Sequence, residues 1–146
     1  MAEGWANFLH GEIIEAWSAG IEKHGLNPAA VQVMAESGVD ISSHSSTLIN
    51  ELPEREFDYV ITVCDHAHES CPLFPGTVRH IHKGFADPPR LAAHASDPEE
   101  ILMHYRTVRD QIKNFIDSFP ENLDRLSAPS PGIAQSGISS VIVAPS

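Results

Sequence analysis

The sequence has few cysteines, few positive charges and no long apolar run. It contains two cysteines, and nine Lys and Arg residues against twenty Asp and Glu residues give a formal net charge of -11. This negative charge repels a phosphate backbone and argues against nucleic acid as a partner. No segment approaches the roughly 20 apolar residues that cross a bilayer, so we expect no membrane partner.

Two further absences bear on the cellular compartment of the protein. The first fourteen residues, MAEGWANFLHGEII, contain no basic stretch followed by an apolar run, so a secretory signal is not supported and we predict a cytoplasmic protein. Two cysteines are too few for a disulfide framework, and reducing compartments keep structural thiols reduced. If these two cysteines pair, we expect the pairing to be transient.

The residues that are present predict one α/β domain. A length of 146 residues suits a single domain with its own core. Apolar runs rich in β-branched residues predict strands at 13–18, 57–64 and 77–82. Asn27 and Asp97 each precede a proline and an apolar stripe at helical spacing, which predicts two capped helices, whereas segment 84–95 is rich in Pro and Gly and is predicted to be a loop. Strands that alternate with helices indicate a layered fold with a mostly parallel sheet and a site at the carboxyl ends of its strands.

The two ends of the chain differ from this pattern. Residues 1–9 have helical spacing but no capping residue, so the sequence begins in mid-element. Beyond Pro120 the stretch SAPSPGIAQSG is typical of a flexible linker. The segment SSVIVAPS that follows contains enough β-branched residues to form one strand. We therefore divide the chain into a domain at 1–119 and a linker with a candidate strand at 120–146.

Both cysteines lie in one stretch, CDHAHESC, from Cys64 to Cys71. Spacing alone leaves four interpretations: a metal site, a structural disulfide, a pair of core thiols or a dithiol relay. A metal site could add histidine ligands, although zinc knuckles prefer Cys-x2-4-Cys; the histidines nearest in sequence are His66, His68, His80 and His82. A relay needs one thiol at the reaction centre and a second that can reach it. Since Cys64 ends a predicted buried strand, its placement favours chemistry.

Several motifs together resemble one known family. They are MAEGWA, WSAG at 17–20, HGLNP at 24–28, DISSH at 40–44, FDYVITVC, Cys71-Pro72 and GFADP at 84–88. The set resembles the thioredoxin-coupled arsenate reductases built on the low-molecular-weight protein tyrosine phosphatase fold, in the family's order from residue 1 to 119. The resemblance implies a three-layer α/β fold with a mostly parallel central sheet. It also implies reduction of arsenate to arsenite without a metal or an organic cofactor, with thioredoxin and arsenate or a similar oxyanion as partners.

The resemblance assigns three catalytic residues. It implies that Cys64 attacks an arseno-cysteine adduct and that Cys71 then attacks the resulting disulfide, which leaves a Cys64–Cys71 pair for thioredoxin. Asp87 matches the general acid that protonates the departing oxygen. Lys83 stands where the family has a Trp before the Gly-Phe pair, and Arg90 follows the second proline. Because both residues depart from the family's pattern, we do not extend the family's substrate preference to this segment.

Other positions carry weaker assignments. Glu3 and Ser18 match positions that hold a monovalent cation in part of the family, but Thr47 stands where a further acidic ligand would be, so we expect no cation site. His44 matches a histidine behind the site. Four aromatic residues are predicted to lie in the core: Trp5, Trp17, Phe57 and Tyr59.

The family's nucleophilic cysteine belongs to a C-x5-R loop between its first strand and the MAEGW helix. The sixth residue after each cysteine of this sequence is Ser70 or Thr77, so neither cysteine begins such a loop and we expect this chain alone to be inactive. Two interpretations of the ends follow. Either the chain is truncated and its tail is an unrelated extension, or the tail strand at 141–144 replaces the missing first strand, in its own molecule or in a tail-swapped dimer.

Two functions from other classes also fit the sequence. One is a non-catalytic thiol switch or binding protein in which Cys64 and Cys71 respond to redox state. The other is a phosphatase-like remnant whose anion site has been remade by the tail. A thioredoxin-linked assay with arsenate separates these functions from an arsenate reductase.

Overall fold

Four strands form one parallel sheet in the computed structural model, with helices packed against it. The structure describes residues 1–12, 14–19, 25–45, 47–48, 51, 59–63, 79–119 and 139–144. In chain order the elements are α1 (Ala2–His10), β1 (Ile14–Ser18), α2 (Pro28–Glu36), β2 (Tyr59–Thr62), β3 (Arg79–His82), α3 (Pro88–Leu91), a 3-10 turn (Ala92–His94), α4 (Pro98–Asp117) and β4 (Ser139–Ala144). The predicted α/β class with a parallel sheet is confirmed.

The tail strand β4 occupies an inner position in this sheet. The strand order is β1-β4-β2-β3, and β4 runs parallel to both of its neighbours. Its register pairs Ser139 with Ile14 on one side and Val141 with Tyr59 on the other. This is the position that the strand-replacement interpretation assigned to the tail. With β4 in place, the facing edges of β1 and β2 both have backbone partners.

Local capping explains where the two long helices begin. Asn27 Oδ1 accepts a hydrogen bond of 2.9 Å from the Ala29 amide, and Asp97 Oδ1 accepts one of 3.0 Å from the Glu99 amide. Proline follows each cap at the first helical position, so both predicted helices are confirmed. Helix α1 has no side-chain cap, as its sequence predicted.

The prediction of a loop at 84–95 is wrong. Helix α3 and the 3-10 turn occupy 88–94 of this segment. Asp87-Pro88 places an N-cap residue before a proline at the first helical position, and proline is tolerated there because that amide has no intrahelical partner. The high proline content thus marks the start of a short helix.

The core lies between the sheet and helices α1, α2 and α4. Trp5 and Tyr59 are buried, which confirms two of the predicted core aromatics. Trp17 is only half-buried, so that prediction is wrong: Ile14 and Ala16 are the buried positions of β1, and alternation turns Trp17 toward the other face. Phe57 lies outside the described residues. None of the helices that the structure describes has the length and apolar character required to traverse a lipid bilayer.

Candidate active site

Because all four strands are parallel, their carboxyl ends meet at one edge of the sheet. Ser18, Thr62 and His82 end β1, β2 and β3, and Ala144 ends the inner strand β4. The register places Ala144 beside Thr62, and Thr62 beside His82. The sequence pattern predicted a functional site at this edge of the sheet.

The segment leading to Asp87 is held against the end of β2. The Lys83 amide donates to the Thr62 carbonyl at 2.9 Å, and the Phe85 amide donates to the Val63 carbonyl at 3.1 Å. These bonds continue the pairing of β2 and β3 beyond both strands. The Phe85 ring also packs edge-on against Phe115, with 5.8 Å between ring centroids. Val63 directly precedes Cys64, so the Asp87 segment lies beside the chain that leads to that cysteine.

A hydroxyl–imidazole pair joins the two strand ends. Thr62 is 4% exposed, and its Oγ1 lies 2.8 Å from His82 Nδ1. The hydroxyl can donate to an unprotonated Nδ1 or accept from a protonated one, so the pair persists in either tautomer. Sequence reasoning considered His82 only as a metal ligand and did not single out Thr62. The paired register of β2 and β3, which only the fold provides, brings them together.

The Asp87 carboxyl is not used to cap its own helix. Asp87 is the N-cap residue of α3 and is half-buried, but its side chain makes no capping hydrogen bond to α3. The bond from the Leu91 amide goes to the Asp87 backbone carbonyl, at 3.1 Å. The carboxyl thus takes no part in capping α3.

A buried tyrosine that the sequence did not predict as functional joins α4 to the N-cap of α2. Tyr105 is 5% exposed, and its hydroxyl accepts a hydrogen bond of 2.9 Å from Asn27 Nδ2. Burial raises the pKa of Tyr105, the hydrogen bond from Asn27 lowers it, and the negative charge of Asp87 raises it further. Tyr105 belongs to the apolar stripe that follows Asp97 in the sequence, and this helical spacing indicated only a core position.

Glu3, Ser18 and His44 form a polar cluster at the other side of the edge. Ser18 Oγ donates to Glu3 Oε2, and His44 Nδ1 lies 4.0 Å from the same oxygen. Hydrogen bonds from Ser42, with a smaller contribution from the charge of His44, lower the pKa of Asp40. The structure thus brings together the two residues that the resemblance linked to a cation, with the predicted histidine behind them.

Cys64 and Cys71 lie outside the described residues, as do His66 and His68. Within the parts of the chain that are described, no three His, Cys, Asp or Glu side chains converge as metal ligands. The metal interpretation of CDHAHESC therefore falls on residues whose placement is not described.

The family profile of low molecular weight phosphotyrosine protein phosphatases matches residues 1–128. The chain belongs to this family. An arsenate reductase of Bacillus subtilis (strain 168) is 43% identical over 121 residues, which are 83% of this chain and 85% of that relative. Arsenate reductase 2 of Staphylococcus epidermidis is 41% identical over 119 residues, 82% of this chain and 84% of the relative.

Solved structures give the same family fold. An arsenate reductase in the reduced state has a TM-score of 0.61 and 26% identity, covering 84% of this chain and 86% of the other. An arsenate reductase in a phosphate binding state has a TM-score of 0.56 and 30% identity, covering 86% and 87%. For this phosphatase-family member the expected fold is confirmed, whereas the roles of Cys64, Cys71 and Asp87 stay predictions.

Proposed function

We propose that this protein is an arsenate reductase of the cysteine-relay type, acting in the cytoplasm with thioredoxin. The similarity to arsenate reductases over more than four fifths of the chain carries the proposal. The hydrogen bonds from the Lys83 and Phe85 amides to the Thr62 and Val63 carbonyls support it, because they hold the segment before Asp87 at the carboxyl end of β2, where parallel sheets carry their sites.

In the proposed relay, two electrons pass from cysteine sulfur atoms to arsenic. A nucleophilic cysteine first forms a sulfur–arsenic bond with arsenate. The Cys64 thiolate attacks that sulfur, so a disulfide forms, the sulfur–arsenic bond breaks, and arsenic leaves with the electron pair as arsenite. Cys71 then attacks the Cys64 sulfur and releases the first cysteine as a thiolate. The dithiol of thioredoxin finally reduces the Cys64–Cys71 disulfide.

Asp87 is the proposed general acid of the first step. When the nucleophile displaces an oxygen from arsenate, protonated Asp87 gives its proton to the departing oxygen and becomes a carboxylate. A carboxyl that is half-buried and unused by its helix suits this role.

The nucleophile itself is not among these 146 residues, since neither cysteine begins a C-x5-R loop. We therefore propose that the chain alone shows no arsenate turnover, and that β4 serves as the inner strand in place of the family's first strand. The same proposal has a dimeric form. In this tail-swapped dimer, β4 joins the sheet of a second copy of the chain. Light scattering at increasing concentration measures it as a second species of twice the mass.

The relay can be tested without the nucleophile. The chain is oxidised to its Cys64–Cys71 disulfide and mixed with thioredoxin, thioredoxin reductase and NADPH. We expect about one NADPH consumed per chain, because one disulfide takes up two electrons. Cys64→Ser and Cys71→Ser cannot form this disulfide and serve as matched controls. If the parent consumes no more NADPH than the controls, the relay proposal is wrong.

The absence of a C-x5-R cysteine also favours a second function, a thiol switch that responds to redox state without arsenate. Adding a strand and C-x5-R loop before Met1, in a chain that ends at Pro120 so that the added strand can take the place of β4, separates the two. A reductase then gains arsenate-dependent NADPH oxidation, and Asp87→Asn lowers that rate by about 100-fold or more, as expected for loss of a general acid. A thiol switch gains no dependence on arsenate. Asp117→Asn, at the far end of α4, is the control for the charge change.

A further inference from the structure

The outer edge of β1 is closed by a side chain rather than by a strand. In the described sheet β1 lies at one edge, with β4 as its neighbour on the inner side. Successive residues of a strand direct their backbone groups to alternate edges, so every second residue of β1 points away from β4. Backbone amides and carbonyls at such an edge can pair with another chain.

Asn7 of α1 occupies this edge at Ala16. The Ala16 amide donates to Asn7 Oδ1 at 3.2 Å, and Asn7 Nδ2 donates to the Ala16 carbonyl at 3.4 Å. One carboxamide thus bonds both backbone groups of one residue, as the opposite residue of an antiparallel strand would. Because β4 covers the inner side, both groups of Ale16 face outward, and alternation directs those of Ile14 and Ser18 the same way.

The turn after α1 holds Asn7 in this position. A Cβ at Gly11 would collide with the Asn7 carbonyl oxygen, so the chain turns back close to the backbone of the last helical turn. Residues 11–13 alone separate α1 from β1, and the two elements pack against each other. The Asn7 side chain is exposed and uncharged, so its contribution at this place is the pair of hydrogen bonds to Ala16.

The sequence of β1 is complementary to a second copy of itself. Two β1 strands that pair antiparallel about Ala16 place Glu15 of one copy opposite Trp17 of the other. Ile14 then lies opposite Ser18, so no like charges face each other across the pair. The same surface is used on both copies, as in a two-fold symmetric dimer.

We infer that the outer edge of β1 is a pairing surface for β1 of a second copy of this chain, and that Asn7 keeps this surface closed. Pairing requires each copy to give up both Asn7–Ala16 hydrogen bonds, which offsets part of what the new backbone bonds contribute. This dimer differs from the tail-swapped one, because it uses β1 and leaves β4 in its own sheet. It is also independent of the proposed reductase function.

Asn7→Ala opens the surface in the full chain. Alanine is the better helix former, so α1 is retained. Sedimentation equilibrium should give a dimerisation constant at least about tenfold higher than that of the parent, because the variant has no side-chain bonds to give up. Asn114→Ala, at an exposed position of α4, is the matched control and should behave like the parent.

A second substitution distinguishes β1 pairing from tail exchange. Ala16→Pro removes an amide that β1 pairing requires, and proline is accepted on an edge strand where the amide faces outward. Asn7→Ala combined with Ala16→Pro should return to the dimerisation constant of the parent, whereas a tail-swapped dimer would persist. If the additional dimer of Asn7→Ala survives Ala16→Pro, it does not form through β1 and the inference is wrong.

Hydrogen exchange of the Ala16 amide measures the closure itself and needs only the single substitution. In the parent this amide donates to Asn7, so NMR should show slow exchange. In Asn7→Ala we expect exchange at least about tenfold faster at low protein concentration, and renewed protection at high concentration as the second copy pairs. Either of two results overturns the inference: an Ala16 amide that ignores Asn7→Ala, or an Asn7→Ala variant that dimerises no more strongly than the parent.

Discussion

At the scale of single residues, Gly4 shows how closely α1 approaches the rest of the core. A Cβ at this position would lie 2.7 Å from Ile41 Cγ2 and 3.3 Å from Met34 Cε, and both side chains are buried. Ile41 is β-branched and has little freedom to move away. The absence of a side chain at Gly4 is thus a packing requirement that the MAEGWA motif alone does not reveal.

We predict that Gly4→Ala destabilises the protein by about 1–2 kcal/mol. The overpacking cost, about 1–3 kcal/mol, exceeds the gain of up to about 1 kcal/mol from replacing glycine within a helix. Urea unfolding followed by circular dichroism measures the difference. Gln32→Ala, at an exposed position of α2, should change the stability by less than about 0.5 kcal/mol. A Gly4→Ala variant as stable as the parent would contradict the close approach of α1 to Ile41.

Residue-scale features differ in how far the sequence could predict them. The caps at Asn27 and Asp97 were predictable, because a cap depends on a few adjacent residues. The second role of Asn27, as a donor to Tyr105, was not, because the two residues lie 78 positions apart.

At the scale of elements, an ion-pair network links α2 to α4. Arg106 on α4 donates from Nε and Nη2 to both carboxylate oxygens of Glu36, the last residue of α2, at 2.9 and 2.8 Å. Arg109 donates to the Val33 carbonyl at 2.9 Å, near the same helix end. Hydrogen bonds from Arg106, assisted by its charge and that of Arg109, lower the pKa of Glu36.

This shift predicts how stability depends on pH. A carboxyl whose pKa is lower in the folded state stabilises the protein above its unfolded value, near pH 4.5, and the contribution disappears as the pH falls through the lower folded value. We therefore expect Arg106→Gln to lower Tm most at pH 6–7. The difference from the parent should shrink below about pH 4.5.

Thermal unfolding at low ionic strength from pH 7 to 3 measures this dependence, because salt screens exposed charges. Arg90→Gln removes an exposed arginine from α3 and serves as the charge-matched control. A Tm difference between parent and Arg106→Gln that stays constant over the whole range would mean that Glu36 does not carry the effect.

At the scale of the whole molecule, β4 joins two parts of the sheet that otherwise do not pair. The register runs from Ile14 with Ser139 to Ser18 with Val143, and from Tyr59 with Val141 to Thr62 with Ala144. Without β4, both β1 and β2 would expose an unpaired inner edge, which favours aggregation. The tail is thus central to the fold, although the sequence alone also permitted an unrelated extension.

We predict that a chain ending at Pro120 loses solubility and cooperative unfolding, because β4 supplies the backbone partners of both inner edges. Size-exclusion chromatography and thermal unfolding measure the two effects. Ile142→Pro tests the same strand in a full-length chain, since proline removes an amide and is not accepted inside a sheet. Ser130→Pro, within the linker sequence, is its control. If the shortened chain is as soluble and cooperative as the parent, the tail is an unrelated extension.

By itself the sequence determined the α/β class, the two capped helices, the likeness to one family and the three proposed site residues, since these depend on short-range patterns and motifs. Only the tertiary structure decided that β4 lies between β1 and β2, that Thr62 meets His82, and that Asn27 meets Tyr105. The physical reason is that strand order and helix packing depend on contacts between residues far apart in the chain. A β-branched run predicts a strand, but its place in the sheet depends on which backbone edges remain unpaired.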